Sequence, residues 1–298
     1  MQSASPSPNI TPGKFEEFIT EIRPELHRYV TRMIGSVIDS EDVVQDALIK
    51  AYNSLHMLAP DSNIRGWLFR IAHNKAIDHL RRFDNQPMEH LDEHPLFAEP
   101  DPPLEEKELA TMALSVYLKL TPKQRSCVIL KDVLDYSLVE ISELLDATIP
   151  EIKAALHRGR TRLRELAKHI PEDVPVALDE REKALLSLYI DHFNARDFDA
   201  VRDMLASEVQ LDLIGRLKLQ GAPQVHNEYF YNYNLLHDWQ FALGMIEGHL
   251  VMVAYDPQGD SSNPTYFVLI KWDGDQVSEI RDYRYARYVM RDAVIIPL

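Results

Sequence analysis

Two stretches of the chain gather cationic side chains at helical spacing. From Ser62 to Arg82 the bases Arg65, Arg70, Lys75, Arg81 and Arg82 face the single acid Asp78, and from Ala147 to Lys168 the bases Lys153, Arg158, Arg160, Arg162, Arg164 and Lys168 face Glu151 and Glu165. Each stretch is locally +4. Such groups hold phosphates, and an arginine aimed into a major groove can also read a base edge. A solvated helix face uses the same residues, so the neighbouring pattern has to decide. A third set, His226, Tyr229, Tyr231, Tyr233, Asp282, Tyr283 and Tyr285, has the residue types for proton transfer. That chemistry needs an acid or base positioned against a substrate, and tyrosines at alternating positions serve packing at least as well.

The elements behind the two basic stretches are helices. In the first, Leu68, Ala72, Ala76 and Leu80 lie along one side, and Trp67, Arg70, Asn74, Asp78 and Arg81 along another. An aromatic ring, an amide and guanidinium groups on one face can stack on or hydrogen-bond to unpaired bases, whereas a bundle surface is the plainer alternative. In the second, Ile152, Leu156, Gly159, Leu163 and Leu166 form an apolar stripe, and Lys153, His157, Arg160, Arg164 and Lys168 a cationic one. Capping boxes at Thr121–Gln124 and Ser137–Glu140, a turn at Asp146–Thr148 and a cap formed by Thr148 and Glu151 give a short helix, a tight turn and a long helix. That outline is helix-turn-helix.

Charge and proline mark the boundaries. Between Asp84 and Glu108 nine acids stand against Lys107 alone, with five prolines and no apolar period, so an extended acidic linker is expected. A second break falls at His169–Pro175. The chain divides into a tail at 1–13, a helical domain at 14–83, the acidic linker at 84–104, a helix-turn-helix domain at 105–168, a short linker at 169–178 and an α+β domain at 179–298. The net charge of −15 comes mostly from the linker and the last domain. A single cysteine, Cys127, allows neither an internal disulfide nor a cysteine-based zinc site, and neither a metal nor a cofactor is expected. No apolar run approaches the ~18 residues of a membrane span, and the Ser/Pro-rich start lacks the pattern of a signal peptide, so a cytoplasmic protein away from membranes is expected.

The runs SEDVVQDALIKAYNSL and NIRGWLFRIAHNKAIDHLRR resemble the second conserved region of bacterial sigma factors of the extracytoplasmic-function group. The run LTPKQRSCVILKDVLDYSLVEISELLDATIPEIKAALHRGRTRLRE resembles their fourth region. The resemblance implies a transcription-initiation subunit that performs no chemistry, with core RNA polymerase and promoter DNA as partners. It implies that Asp42, Gln45 and Asp46 meet the clamp helices of the largest polymerase subunit. It places Trp67, Arg70, Asn74, Asp78, Arg81 and Arg82, with the loop Leu58–Asn63, at the minus-ten element. At the minus-thirty-five element it puts Glu151, Lys153, Ala154, His157 and Arg158 near base edges and Arg160 and Arg162 on phosphates. The sequence departs from the family pattern twice. Asp146 stands for a turn glycine, which an aspartate in the left-handed region can replace. Ala155 stands for a frequent base, which implies a lost phosphate contact.

The last domain reads as helices at Arg181–Ala195, Phe198–Leu205 and Gly221–Leu236. Strands follow at Val209–Leu213, Gln240–Ile246, His249–Tyr255, Thr265–Trp272 and Gln276–Arg287, with a hairpin turn at Asp273–Gly274. The order resembles the cone-shaped α+β barrel of SnoaL-like proteins, most of all over YIDHFNARDFDAVRDMLASEVQLDL. In sigma factors that carry such a domain, the resemblance implies regulation in cis. Leu213–Gln220 stands where that subset often has a glycine-rich hairpin. A small-molecule ligand in this domain is left open. A stand-alone helix-turn-helix regulator with a ligand-sensing domain and a small-molecule enzyme with a DNA-binding appendage are the competing readings. The expected fold is therefore multidomain: two all-α domains followed by an α+β barrel.

Overall fold

The computed structural model describes residues 12–59, 62–83, 114–167, 178–259 and 262–298. The acidic linker, most of the expected tail and most of the second linker lie outside the described residues, as does Lys168. The chain forms two compact units, Met1–Glu172 and Asp173–Leu298. No helix among the described residues is long and apolar enough to cross a membrane.

The first unit is helical throughout its described residues. Its elements are α1 (Pro12–Ile34), α2 (Val37–Ser54) ending in a 3-10 turn (Leu55–Met57), α3 (Ile64–Phe83) and α4 (Leu114–Tyr117). There follow α5 (Pro122–Val128), which widens into a π turn (Ile129–Val133), α6 (Leu138–Leu145) and α7 (Ile149–Ala167). Side chains supply the acceptors that the first turns lack. Ser36 accepts from the amide of Asp39 and Asn63 from that of Gly66, each at 3.0 Å. Both expected capping boxes form, at Thr121–Gln124 and Ser137–Glu140. Asp146 takes the left-handed conformation, φ 51° and ψ 48°, in the turn between α6 and α7.

One apolar core joins both halves of this unit. Leu26 and Met33 of α1, Ala47 of α2, Phe69 of α3, Cys127 of α5 and Leu156 of α7 belong to the same buried cluster. Two glycines permit its closest approaches. Gly35 ends α1 at φ +79°, and a Cβ there would meet Leu118 Cδ1 at 2.6 Å; a Cβ on Gly159 would meet Val128 Cγ2 at 2.8 Å. Arginines then bridge the helices. Arg28 donates to the carbonyl of Val133 at 3.1 Å, and buried Arg125 donates to the carbonyls of Met33, of Leu118 at 3.1 Å and of Leu120 at 3.0 Å. His73 of α3 lies mostly buried beside them, 2.8 Å from the Tyr29 hydroxyl and 3.4 Å from that of Ser126.

Two expectations for α7 are corrected. Arg160 is buried, and its Nε and Nη2 donate to Asp132 Oδ2 and Oδ1 at 2.9 and 2.6 Å. At 100° per residue it follows Leu156 by only 40°, which turns it toward the π turn that carries Asp132. Ala155, three residues after Ile152, is fully buried, so its position faces the core and no phosphate contact is lost there.

In the second unit α8 (Glu180–Asn194) and α9 (Phe198–Asp203) precede a single seven-stranded sheet. The strands are β1 (Leu205–Leu213), β2 (Leu217–Gln220), β3 (Gln240–Ile246), β4 (His249–Tyr255), β5 (Pro264–Asp273), β6 (Gln276–Asp282) and β7 (Ile295–Pro297), in the order β2-β1-β6-β5-β4-β3-β7. The sheet is mixed, since β1 pairs with β6 in parallel. Between β2 and β3 runs α10, made of Ala222–Gln224, a π segment Val225–Phe230 and Tyr231–Leu235. Phe193 of α8 is the centre of the core, with the rings of Phe198, Phe230, Tyr233, Trp239 and Phe241 between 5.1 and 5.9 Å away. The strand expected to reach Arg287 ends at Asp282. There the Asp282 carboxylate accepts from the amide of Arg284 at 2.7 Å, which turns the chain out of the ladder toward a 3-10 turn at Arg287–Arg291.

Two stability predictions follow from the first unit. Arg160→Met should leave Asp132 buried without its partner and cost about 3–5 kcal/mol, while Arg160→Met with Asp132→Leu should cost less, as read by urea denaturation. Burial lowers the pKa of His73 to about 4, whereas the unfolded residue titrates near 6.5. The unfolded chain therefore holds the extra proton between these values, and stability is lost as pH falls through that window. Denaturation series at pH 7 and pH 4 should show wild type losing up to about 3 kcal/mol more than His73→Gln.

Candidate nucleic-acid interface

On α2, Asp42 and Asp46 are exposed and Gln45 is half-buried. Their opposite side, with Val43, Val44 and Ala47, lies in the core. Gln45 accepts from Arg23 Nη2 at 2.9 Å, and Asp46 lies 3.2 Å from Lys75 Nζ of α3. Arg23 also donates to buried Glu41, so this face is fixed from beneath by an ion pair. The face extends beyond Asp42, Gln45 and Asp46. Ile49 and Tyr52 follow at helical spacing with 51% and 50% of their surfaces exposed. Their signal in the sequence was apolar residues continuing the polar stripe of Asp42, Gln45 and Asp46.

On α3, Leu68, Ala72 and Ala76 are buried, and Arg70, Asn74, Asp78, Arg81 and Arg82 are exposed. Trp67 is half-buried, its ring packed against the core. Arg81 lies 3.9 Å from Asp78, a weak exposed pair. Asn63, whose side chain caps α3, ends the loop from Leu58, of which Pro60 and Asp61 lie outside the described residues. Helix α6 approaches this face. Arg70 donates to the carbonyl of Glu143, and Arg65 donates through Nε to the Tyr136 hydroxyl at 2.8 Å while pairing with Glu25. None of these cross-contacts is legible in the local pattern, because their partners are 40 to 73 residues away.

On α7, Glu151, Lys153 and Arg162 are exposed, and Ala154, His157 and Arg158 are half-buried. Glu151 is engaged locally, accepting from the amide and hydroxyl of Thr148 at 2.7 and 2.9 Å. Those bonds, with Lys123 at 3.6 Å, hold its carboxyl below the usual carboxylate range. Arg162 lies 3.4 Å from Glu165. The exposed side of α7 thus keeps Lys153 and Arg162, whereas Arg160 belongs to the buried pair.

In the second unit the tyrosine set divides. Tyr229 and Tyr233 both donate to Asp282 Oδ2, at 2.8 and 2.7 Å. With its proton on Asp282, Tyr233 accepts from Tyr266 at 3.1 Å, and Tyr266 accepts from Arg284 Nη1 at 2.7 Å. Arg284 Nη2 also reaches both Asp238 oxygens at 2.6 Å. Burial pushes the Asp282 carboxyl up, against the hydrogen bonds of Tyr233, Tyr229 and the Arg284 amide, which favour the charged form. Tyr283 stacks instead on Phe267, 4.2 Å between ring centres, Tyr231 is exposed, and His226 lies at the edge of Phe230. Tyr266 and Arg284, which complete the relay, were not singled out in the sequence. Among the described residues no cluster of three metal-ligating side chains occurs.

The helices that carry these faces match two family models, Sigma-70 region 2 over residues 18–85 and Sigma-70, region 4 over residues 114–163. The chain is 29% identical over 165 residues to the ECF RNA polymerase sigma factor SigW of Bacillus subtilis, which is 51% of this chain and 87% of SigW. Among solved structures it is similar to the extracytoplasmic function sigma factor SigJ of Mycobacterium tuberculosis, at TM-score 0.34 and 20% identity over 91% of this chain and 95% of that one. It is also similar to an NTF2-like protein of Cytophaga hutchinsonii, at TM-score 0.24 and 15% identity over 33% of this chain and 95% of that one. With both regions matched in order on α1 to α3 and α4 to α7, the chain belongs to the extracytoplasmic-function sigma factors of the sigma-70 family.

Proposed function

We propose that the chain binds core RNA polymerase through the α2 face and directs it to promoters through the exposed faces of α3 and α7, with the C-terminal unit modulating that activity in cis. The observation that carries this reading is the pairing of two region matches with exposed faces on the same helices. On α2, Asp42, Gln45 and Asp46 with Ile49 and Tyr52 offer a partner both charge and apolar area. On α3, Trp67, Arg70, Asn74, Asp78, Arg81 and Arg82 meet the minus-ten element. On α7, Glu151, Lys153, Ala154, His157 and Arg158 lie nearest base edges and Arg162 on phosphate, and Arg160 keeps the helix seated. Arg70 donates to the Glu143 carbonyl, and it gives up or shares that bond when it reaches DNA.

The protein works in the cytoplasm in this reading and catalyses no reaction of its own. Support for the second point comes from Asp282, whose oxygens accept from two tyrosines and a backbone amide, so that this carboxylate is engaged within its own unit. A stand-alone helix-turn-helix regulator would leave the α2 face without a use.

Reconstitution with core polymerase tests the proposal. Promoter-specific initiation is expected on DNA selected by the reconstituted complex; no binding to core and no initiation would overturn it. Arg158→Ala should cost about 1–3 kcal/mol of discrimination if it reads a base, whereas Arg81→Ala should weaken binding to all promoters alike and lower the salt slope by about one. Deleting the residues after Pro171 should change transcript yield in either direction, and an unchanged yield under all conditions would remove the regulatory role.

A further inference from the structure

The face of α2 that bears Asp42, Gln45 and Asp46 is held from one side by α1. Arg23 of α1 directs both Nε and Nη2 at Glu41 Oε1, with Nε at 2.9 Å, and the same Nη2 donates to Gln45 Oε1 at 2.9 Å. The Glu41 side chain is 1% exposed and that of Arg23 14%, so a buried ion pair anchors the contact. Glu41 and Gln45 are four residues apart and therefore neighbours on one side of the helix, which lets one guanidinium span both.

That contact determines which way the Gln45 amide points. A guanidinium has N–H donors and no acceptor, so only the oxygen end of an amide can face it. With Oε1 given to Arg23, the two N–H bonds of Nε2 are turned away from α1; they meet no acceptor among the described residues, and Nε2 reaches the surface. The two ends of an amide are nearly alike in shape, and the last torsion of a glutamine is broad and two-fold, so without such a partner the group turns over at little cost.

The orientation sets the pattern that the face offers. Ionised Asp42 and Asp46 only accept, so with Gln45 beside them the three positions combine acceptor, donor and acceptor. Turned over, Gln45 would present a third acceptor and suit a different partner. A surface that matches the first pattern has a carbonyl or carboxylate opposite Gln45, with cations nearby for the two aspartates; Lys75, 3.2 Å from Asp46, already fills one such place within the chain. An acceptor forced against an acceptor loses its water without a replacement, and that penalty separates a matching surface from a mismatched one.

We propose that, on the reading of the α2 face as the polymerase contact, Arg23 is a positioning residue for that contact. By holding Gln45 Oε1 it fixes the amide with its N–H groups outward, and so sets the donor that an acceptor on core polymerase must meet. Arg23 acts through Gln45, and its ion pair with Glu41 keeps the guanidinium in place.

Binding of the labelled full chain to core polymerase, followed by fluorescence anisotropy with circular dichroism as the check on folding, tests it. Gln45→Glu keeps an acceptor for Arg23 and replaces the outward N–H groups with a second acceptor, so affinity should fall about tenfold or more. Removing Arg23 alone leaves Glu41 buried and unpaired, so the pair is replaced together: Arg23→Met with Glu41→Leu fills the space and frees the amide, with an expected loss of about three- to tenfold. Gln45→Ala then separates positioning from packing. It should weaken the wild-type chain clearly and the Arg23→Met, Glu41→Leu chain by a smaller factor, whereas equal factors in the two would mean that Arg23 acts only through the fold and would overturn the proposal. Wild-type affinity in Gln45→Glu would overturn it as well. If either happens while Asp42→Ala still weakens binding, the polymerase reading stands without the positioning role; a wild-type chain that does not bind core overturns both.

Discussion

The first unit depends on one buried cation. Arg125 has lost its water, and a guanidinium in that position needs acceptors for its N–H groups. The structure gives Nη1 and Nη2 the carbonyls of Met33, Leu118 and Leu120, which lie at the end of α1 and in the segment leading to α5. Those carbonyls are available because helices and turns end there, leaving acceptors without intrahelical partners. One side chain thereby joins the region 2 helices to the region 4 helices, and the apolar core around Met33, Phe69 and Cys127 closes over the join.

That arrangement sets the charge pattern in context. A chain of net charge −15 carries two helices that are locally +4, and their bases do not all serve one purpose. Arg65 and Arg70 reach across the unit to a hydroxyl and a carbonyl, and Arg160 is paired with Asp132 in the interior. Lys153, Arg81 and Arg82 remain on the surface. A guanidinium has five donors in a fixed fork and remains charged under all ordinary conditions, so it suits a backbone carbonyl as well as a phosphate. Contacts such as the one between Arg70 and the Glu143 carbonyl therefore place helix packing and nucleic-acid binding in competition for the same group.

The second unit solves a different problem with similar means. Asp282 is fully enclosed, yet each of its oxygens has donors, and the relay from Arg284 through Tyr266 and Tyr233 gives every proton one direction. Such a network is costly when incomplete and specific when complete. Here the donors and acceptors of the network meet one another within the unit.

Local chemistry was legible in the sequence. The capping boxes at Thr121 and Ser137, the left-handed Asp146, the apolar stripe of α7 and the strands β3 and β4 depend on residues a few positions apart, and each appears as read. The matched regions follow from the same local patterns. Tertiary structure alone decided which cations are spent internally, where β6 stops, and which tyrosines meet Asp282. The reason is physical: a helical repeat gives a side chain its direction, but its partner is set by whatever packs opposite. For Arg160 that partner is 28 residues away, and for Arg70 it is 73.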